Sequence, residues 1–263
     1  MVEILAGSLA RPMKTIKTSP HIVIDGRMVS ATIRFRPVIA KLLPDAQCAV
    51  ELVSAWLGAT VGLPVPAFGR IEVSSSCIPF GTSWPYSDEQ HTAFASATVP
   101  YAKQVSSVDS YAVEARLNLW PYTELAGAFD ELIANDDRSQ GNLLIDGGQT
   151  IWLIDHARAL GGAGDRLFST ELRPSFDNFF LHRIARQTFA ERLKRKQALL
   201  HACAYLRSAV PRIPYTDLQI SSTLEAEIRS WLAARLRNLE QLVLSRVGLP
   251  DLVAGSSQQP GVQ

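Results

Sequence analysis

Residues 135–160, NDDRSQGNLLIDGGQTIWLIDHARAL, contain the pattern from which the architecture of this chain can be inferred. It opens with a polar loop that ends at Asn142 and continues into two short apolar runs. Gly147 and Gly148 separate these runs, and the second run ends at Asp155. Two apolar runs around a glycine turn are typical of a β-hairpin. The sequence therefore predicts a hairpin that brings Asn142 and Asp155 to the same end.

This hairpin suggests chemistry because three oxygen-bearing side chains meet at its base. If the two glycines form a two-residue turn, Asn142 lies opposite Leu153, and Asp155 lies diagonally from Asn142 at roughly 7 to 8 Å. An amide oxygen and a carboxylate are hard ligands of the kind that Mg²⁺ prefers. Asp137 in the preceding loop would accept the proton of an incoming hydroxyl. We expect Asn142 and Asp155 to bind metal and Asp137 to be the catalytic base.

Each of these residues, taken alone, is equally explained by a helix cap, a turn or a strand end. The ordered combination of loop, strand, turn, strand and acid favours phosphoryl transfer. The segment resembles the catalytic segment of the HipA-like kinases, which runs Asn-x-Asp-Arg-His-x-x-Asn, an apolar strand, a turn, and an apolar strand ending in Asp-His or similar. The resemblance implies ATP and Mg²⁺ as cofactors, and it places Asp155 at the kinase Asp-Phe-Gly motif. Ser139 replaces the family's histidine, so no imidazole role is carried over.

An upstream pair of charges fits the same chemistry. Lys41 ends the β-like run Val38-Ile39-Ala40, and Glu51 lies in an apolar part of the next predicted helix. Burying either charge is costly unless the two are paired. We expect Lys41 to bind the nucleotide phosphates and Glu51 to hold it in place. Arg34, in a strand-like run that resembles the family's Val-Lys-Phe, is the alternative to Lys41.

The loop that covers the phosphates is the weakest part of this pattern. Neither a GxGxxG nor a Walker sequence occurs in the chain. Gly26 is the glycine at the predicted turn between the first two predicted strands. We therefore expect Gly26 and the backbone around it to contact the cofactor.

The expected fold class is α+β, with the two lobes of a protein-kinase-like fold. A small N-terminal antiparallel sheet plus a helix would form the nucleotide-binding lobe, residues 1–77. A larger, mostly helical catalytic lobe would follow over residues 78–250, with a junction near residues 74–92. Periodic apolar residues predict two late helices, one with a stripe at positions 189, 193, 200 and 204 and one with a stripe over 224–239. The polar tail, residues 251–263, should be disordered.

Composition excludes several classes of function. The formal net charge of +1 provides no overall attraction to nucleic acid or to an anionic membrane. No apolar run approaches the length of about 18 residues that a membrane span needs. Cys48, Cys77 and Cys203 are widely spaced, which argues against a disulfide framework or a zinc site. We expect a cytoplasmic protein that binds neither membrane nor, directly, nucleic acid.

The predicted function is Mg²⁺-dependent transfer of phosphate from ATP to a hydroxyl group. The family resemblance implies a Ser/Thr kinase with a protein substrate and an antitoxin-type partner. A small-molecule or lipid kinase of the same superfamily is the first alternative. The second is a non-catalytic pseudokinase that binds nucleotide, which is favoured by the missing glycine-rich loop and by Ser139.

Overall fold

The computed structural model describes residues 2–16, 22–30, 35–78, 90–108, 110–161 and 176–249. Strands and helices both occur in these ranges, so the predicted α+β class is confirmed. The strands are β1 (Ile4–Ile16), β2 (Ile22–Val29), β3 (Arg36–Leu42), β4 (Phe68–Ser74), β5 (Gln90–Ala97), β6 (Lys103–Gln104), β7 (Leu143–Ile145) and β8 (Ile151–Leu153). The α-helices are α1 (Asp45–Thr60), α2 (Ser110–Asn118), α3 (Thr123–Leu132), α4 (Phe179–Ala185), α5 (Phe189–Ala209) and α6 (Ser222–Arg246).

The first five strands form a closed barrel in the order β1-β2-β3-β5-β4. Its interior is apolar, with Ile24, Met28 and Leu42 almost completely buried. The barrel closes because β1 pairs in parallel with β4, whereas all its other pairings are antiparallel. The predicted antiparallel pairing is confirmed for β2 and β3, but the sheet as a whole is not antiparallel because β1 and β4 run parallel. Strand β1 escaped sequence analysis because Leu5 and Leu9, its buried large residues, are too far apart to give a clear alternation.

Gly26 lies inside β2, opposite Pro12 of β1 and Val38 of β3. The predicted turn at Gly26 is therefore wrong, because both neighbouring strands continue past it. A Cβ atom at this position would lie 2.9 Å from the carbonyl oxygen of Arg11 and from Cδ1 of Leu9. Glycine in a strand interior commonly permits such a close approach next to a bulge, and the β1–β2 register shifts beside Pro12. Gly26 has a packing role here.

The barrel also extends beyond residue 77, where sequence analysis placed the end of the N-terminal part. Strand β5 pairs with both β3 and β4. Its sequence, QHTAFASA, contains one large apolar residue, Phe94, among small and polar ones, so the strand signal was weak. Arg34, most of the predicted junction and the predicted disordered tail lie outside the described residues.

A second core contains residues of α1, of the hairpin and of the later helices. The buried faces of the later helices only partly match the predicted stripes. In α6, Ile228, Leu232 and Leu239 are buried as predicted. In α5, Phe189 and Leu193 are 53% and 51% exposed, and a different face, which includes Cys203 and Leu206, is buried instead. The apolar residues of α5 surround much of the helix, so periodicity alone does not identify the buried face.

A buried ionic contact fastens α6 to the end of α3. Glu131 is fully buried, with its carboxylate 3.1 Å from Arg235 Nη2 and 3.2 Å from Arg246 Nε. Asn178, which caps α4, donates to the same carboxylate at 3.3 Å. Because α3 leads directly into residues 135–142, the contact between Glu131 and α6 holds the start of that segment in place.

No helix among the residues described has the length and apolar character required to cross a bilayer.

Barrel closure gives a first testable prediction. Gly69 of β4 lies opposite Leu5 of β1, and a Cβ atom at Gly69 would lie only 1.9 Å from the carbonyl oxygen of Leu5. We expect Gly69→Ala to lower the free energy of unfolding by more than about 2 kcal/mol, because backbone must move to admit the methyl group. Denaturant unfolding measures this loss. Gly147→Ala is the control, since its nearest neighbour would be Tyr101 Cβ at 4.0 Å, and equal losses would contradict the explanation.

Candidate active site

The predicted hairpin is present, but its turn is one residue longer than predicted. Leu143 pairs with Leu153, and the backbone N–H of Ile154 donates to the carbonyl of Asn142 at 3.2 Å. Asn142 therefore lies opposite Ile154 rather than Leu153. The reason is Gln149, whose φ of 67° places it in the left-handed region. A left-handed residue at the third turn position is typical of three-residue hairpin loops.

Arg138 ties the polar loop to both strands of the hairpin. Its guanidinium is buried and contacts the carboxylate of Asp130 twice, through Nε at 3.0 Å and Nη2 at 3.2 Å. Nη1 donates to the carbonyl oxygens of Asn142, at 3.0 Å, and Ile154, at 2.7 Å. One side chain thus fixes the backbone at Asn142 and immediately before Asp155.

Asp130 is the anchor of this network on α3. It also accepts from Asn135 Nδ2 at 3.4 Å, and Asn135 Oδ1 accepts the backbone N–H of Asp137 at 3.3 Å. Sequence reasoning missed Asp130, Asn135 and Arg138 as positioning residues. A signal was available, because a carboxylate in the apolar pattern of α3 must find a partner if it is buried.

The side chains of Asp137 and Asn142 are in direct contact. Asn142 Nδ2 donates to the carbonyl oxygen of Asp137 at 2.7 Å and to its carboxylate at 3.0 Å. Both amide hydrogens therefore have acceptors in the loop, and the amide oxygen is left to accept from or coordinate another group. The Asp137 side chain is 41% exposed, so an incoming hydroxyl has access to its carboxylate.

Lys41 forms the contact that joins the barrel to the hairpin. Its Nζ lies 2.8 Å from Glu51 Oε1 and 2.8 Å from Asp155 Oδ1. Burial opposes the charge on Lys41, but Glu51 and Asp155 outweigh this effect and raise the pKa of Lys41 to about 12. Burial would likewise raise the pKa of Glu51, whereas Lys41 and His156 lower it, and the net shift is downward. Both members of the buried pair are charged at neutral pH.

Asp155 is held in a backbone conformation that non-glycine residues rarely adopt. Its φ is 59°, in the left-handed region, which costs on the order of 1 kcal/mol or more. The peptide before it is fixed by Arg138, and the N–H of His156 after it donates to Glu51 Oε2 at 2.9 Å. The His156 ring is buried edge-on against Phe129, with 5.7 Å between the ring centroids. The surroundings therefore impose the strained backbone that directs Asp155 toward Lys41.

The side chains of Asn142 and Asp155 carry the kind of oxygen donors that a magnesium ion binds. Asn142 supplies an amide oxygen and Asp155 a carboxylate that is 39% exposed, and Mg²⁺ usually takes one or two protein oxygens and completes its shell with phosphates and water. Within the described ranges, no three His, Cys, Asp or Glu side chains form a group that could hold a metal. The predicted pair of one acid and one amide has fewer ligands than such a group, and it stays a prediction.

The structure thus brings most of the predicted residues together in two contacting sets. Lys41, Glu51 and Asp155 form one set, Asp137 and Asn142 form the other, and Arg138 joins them through the hairpin backbone. Gly26 is placed in the middle of β2, and its packing there is with β1 and β3.

Comparison with known proteins identifies the family. Residues 38–240, more than half of the chain, match the profile of the HipA-like kinases. The chain belongs to the HipA-like kinase family. The predicted resemblance is therefore confirmed, and membership of this family supports a kinase function.

A solved kinase has a similar overall fold. The crystal structure of a Helicobacter pylori proinflammatory kinase, CtkA, matches with a TM-score of 0.54, covering 94% of this chain and 98% of that chain. The two sequences are 12% identical, so the likeness shows the fold alone. No curated protein sequence matches the chain significantly.

The buried pair of Lys41 and Glu51 makes a prediction about pH. We expect Glu51→Gln to lower the free energy of unfolding by about 3 kcal/mol at pH 7, because it leaves a buried ammonium without its main partner. The folded-state pKa of Glu51 is below the ordinary value of 4.5. Glu51 therefore contributes stability above pH 4.5 and loses that contribution as the pH falls below it. The difference in the free energy of unfolding between wild type and Glu51→Gln should therefore become smaller as the pH falls below 4.5.

Urea unfolding at several pH values measures this difference. Glu240→Gln is the matched control, because Glu240 pairs with Arg207 at 2.8 Å but is 45% exposed. An exposed pair contributes about 0.5 kcal/mol, so this variant should behave like the wild type. A Glu51→Gln variant as stable as the control would show that the ammonium of Lys41 can be buried without Glu51 at no cost in stability.

Proposed function

We propose that this chain transfers the γ-phosphate of ATP to a hydroxyl group in a Mg²⁺-dependent reaction. The observation that carries the proposal is the position of Lys41 Nζ, 2.8 Å from both Glu51 and Asp155. This contact unites the expected phosphate-binding cation on the barrel with the expected metal-binding acid on the hairpin. A lysine held in this way is the arrangement that kinases use on nucleotide phosphates.

The barrel and α1 form the nucleotide-binding lobe in this proposal, and the region from α2 onward forms the catalytic lobe. Lys41, from the barrel, would contact the phosphates with Glu51 holding its side chain. Asn142 and Asp155, from the hairpin, would hold the magnesium ion, which supplies charge neutralisation on the phosphate oxygens when bound. ATP would lie between the lobes, where these two groups of residues face each other.

Asp137 would act as the base in this reaction. Its Oδ2 accepts from Asn142, and the guanidinium of Arg158 lies 3.5 Å from its Oδ1, while the side chain is 41% exposed. A hydroxyl that reaches the exposed part of the carboxylate can give its proton to Asp137 while its oxygen attacks the phosphorus atom. The bonds from Asn135 and Asn142 to the Asp137 backbone fix the carboxylate for this step.

The family makes a protein Ser/Thr residue the proposed acceptor, with an antitoxin-type protein as a possible partner and the cytoplasm as the proposed location. A nucleic-acid partner is not proposed, because α5 contains a basic run, residues 192–196, in which both arginines are bonded within the chain. Arg192 donates to the carbonyl oxygen of Val247, and Arg195 donates to Gln187 and Glu124. These bonds give the run a structural role.

The identity of the acceptor can be tested directly. The wild-type chain is incubated with labelled ATP and Mg²⁺ in a cell lysate, and the labelled species are then identified. We expect label in protein Ser or Thr and none after the divalent cations are removed with a chelator. Label in a lipid or a small molecule would instead support the alternative kinase classes, and nucleotide binding without any transfer would support a pseudokinase.

The role of Asp137 gives a prediction with a defined size. We expect Asp137→Ala to lower turnover by about 10³-fold, within the range for loss of a general base. Equilibrium binding of ATP should change less than about threefold, because the base does not contact the nucleotide in the ground state. Asp217→Ala is the control, since it removes an exposed carboxylate from the turn between α5 and α6. Turnover that survives Asp137→Ala would exclude Asp137 as the base.

A further inference from the structure

Arg158 is the exposed side chain of an otherwise buried segment. Its neighbours His156, Ala157, Ala159 and Leu160 are at most 7% exposed, whereas the Arg158 side chain is 52% exposed. The segment is fixed by its backbone, since the N–H of Leu160 donates to the carbonyl of Ile133 at 2.6 Å and that of Ala159 to the carbonyl of His156 at 2.9 Å. The fold therefore projects one guanidinium from a rigid support.

This guanidinium points at the proposed catalytic base. Arg158 Nη1 lies 3.5 Å from Asp137 Oδ1, and Arg158 Nε lies 3.4 Å from Asp136 Oδ1. Both contacts are longer than the 2.7 to 2.9 Å that is usual for charge-assisted hydrogen bonds. A guanidinium has five N–H donors, so these two long contacts leave it able to bind another anion beside Asp137.

The guanidinium of Arg138, in the loop that carries Asp137, is buried, in contrast to that of Arg158. The Arg138 guanidinium is bonded to Asp130 and to two carbonyl oxygens. It is therefore not available to a substrate. Ser139, the next residue, caps a short 3₁₀ helix by accepting the N–H of Gly141. The loop from 135 to 142 thus presents no cation of its own, and Arg158 supplies one at the carboxylate of Asp137.

We propose that Arg158 is a further catalytic residue, which donates hydrogen bonds to the γ-phosphoryl group during its transfer. This inference rests on the proposed function and deepens it. In the step, the acceptor oxygen forms a bond to the γ-phosphorus, and the bond from that phosphorus to the β,γ-bridging oxygen breaks. The hydroxyl proton passes to Asp137, and ADP leaves with the bonding electron pair. Arg158 binds the non-bridging oxygens, whose negative charge must be stabilised as the group moves.

The test compares three variants of the full-length chain. We expect Arg158→Ala to lower kcat by about 10² to 10³-fold, with ATP affinity changed less than about threefold. Arg158→Lys should recover part of this loss, because it restores a charge without the two-pronged geometry. Added methylguanidine should partly rescue Arg158→Ala, which would not happen if Arg158 only braced the loop. Arg207→Ala is the matched control, since Arg207 is 50% exposed and pairs with a carboxylate, Glu240, away from the site.

The outcomes separate this inference from the proposed function. If wild type and Arg158→Ala turn over within about threefold of each other while Asp137→Ala is inactive, the role of Arg158 is wrong and the proposed function stands. The role is also wrong if Arg158→Ala loses ATP affinity in parallel with kcat, or if its thermal stability falls and methylguanidine gives no rescue. A wild-type chain that transfers no phosphate overturns both proposals together.

Discussion

The ammonium of Lys41 lies between two carboxylates, and the arrangement of the candidate site depends on this contact. Glu51 is completely buried on α1, and Asp155 stands at the end of the hairpin. A buried carboxylate cannot stay charged without a partner, so α1 must hold Glu51 against β3, where Lys41 is. Because the N–H of His156 also donates to Glu51, the same carboxylate fixes the hairpin end against the barrel.

A second buried ion pair fixes the backbone within the catalytic segment. Arg138 and Asp130 neutralise each other, and Nη1 of Arg138 donates to the carbonyl oxygens of Asn142 and Ile154 at the two hairpin ends. Asp130 in turn belongs to α3, whose next residue, Glu131, binds α6 through two arginines. Buried ion pairs of this kind contribute little net stability compared with apolar packing. Their effect here is positional, since each one fixes where an exposed carboxylate points.

The sequence predicted the parts of this site whose signal is local. The order of loop, strand, turn and strand was sufficient to predict the hairpin that carries Asn142 and Asp155 near its ends, and the cost of burying charge was sufficient to pair Lys41 with Glu51. Features set by distant chain segments were not predicted. The place of Gly26 in β2 depends on β1, and β5 joins the barrel through partners that its own composition does not reveal. The register of the hairpin depended on the conformation of Gln149, which is not a glycine.

The departure from the family pattern at Ser139 can be understood in the same physical terms. A phosphoryl group in transfer needs positive charge near its non-bridging oxygens, but that charge need not come from the loop that carries the base. Arg138 belongs to the loop, and its charge is paired with Asp130. Arg158 belongs to a segment after the hairpin and lies beside Asp137. The two arginines therefore have different roles in this proposal. Arg138 positions the backbone, and Arg158 faces the substrate. On this view a serine at 139 is compatible with catalysis, because the cation reaches the site from another part of the chain.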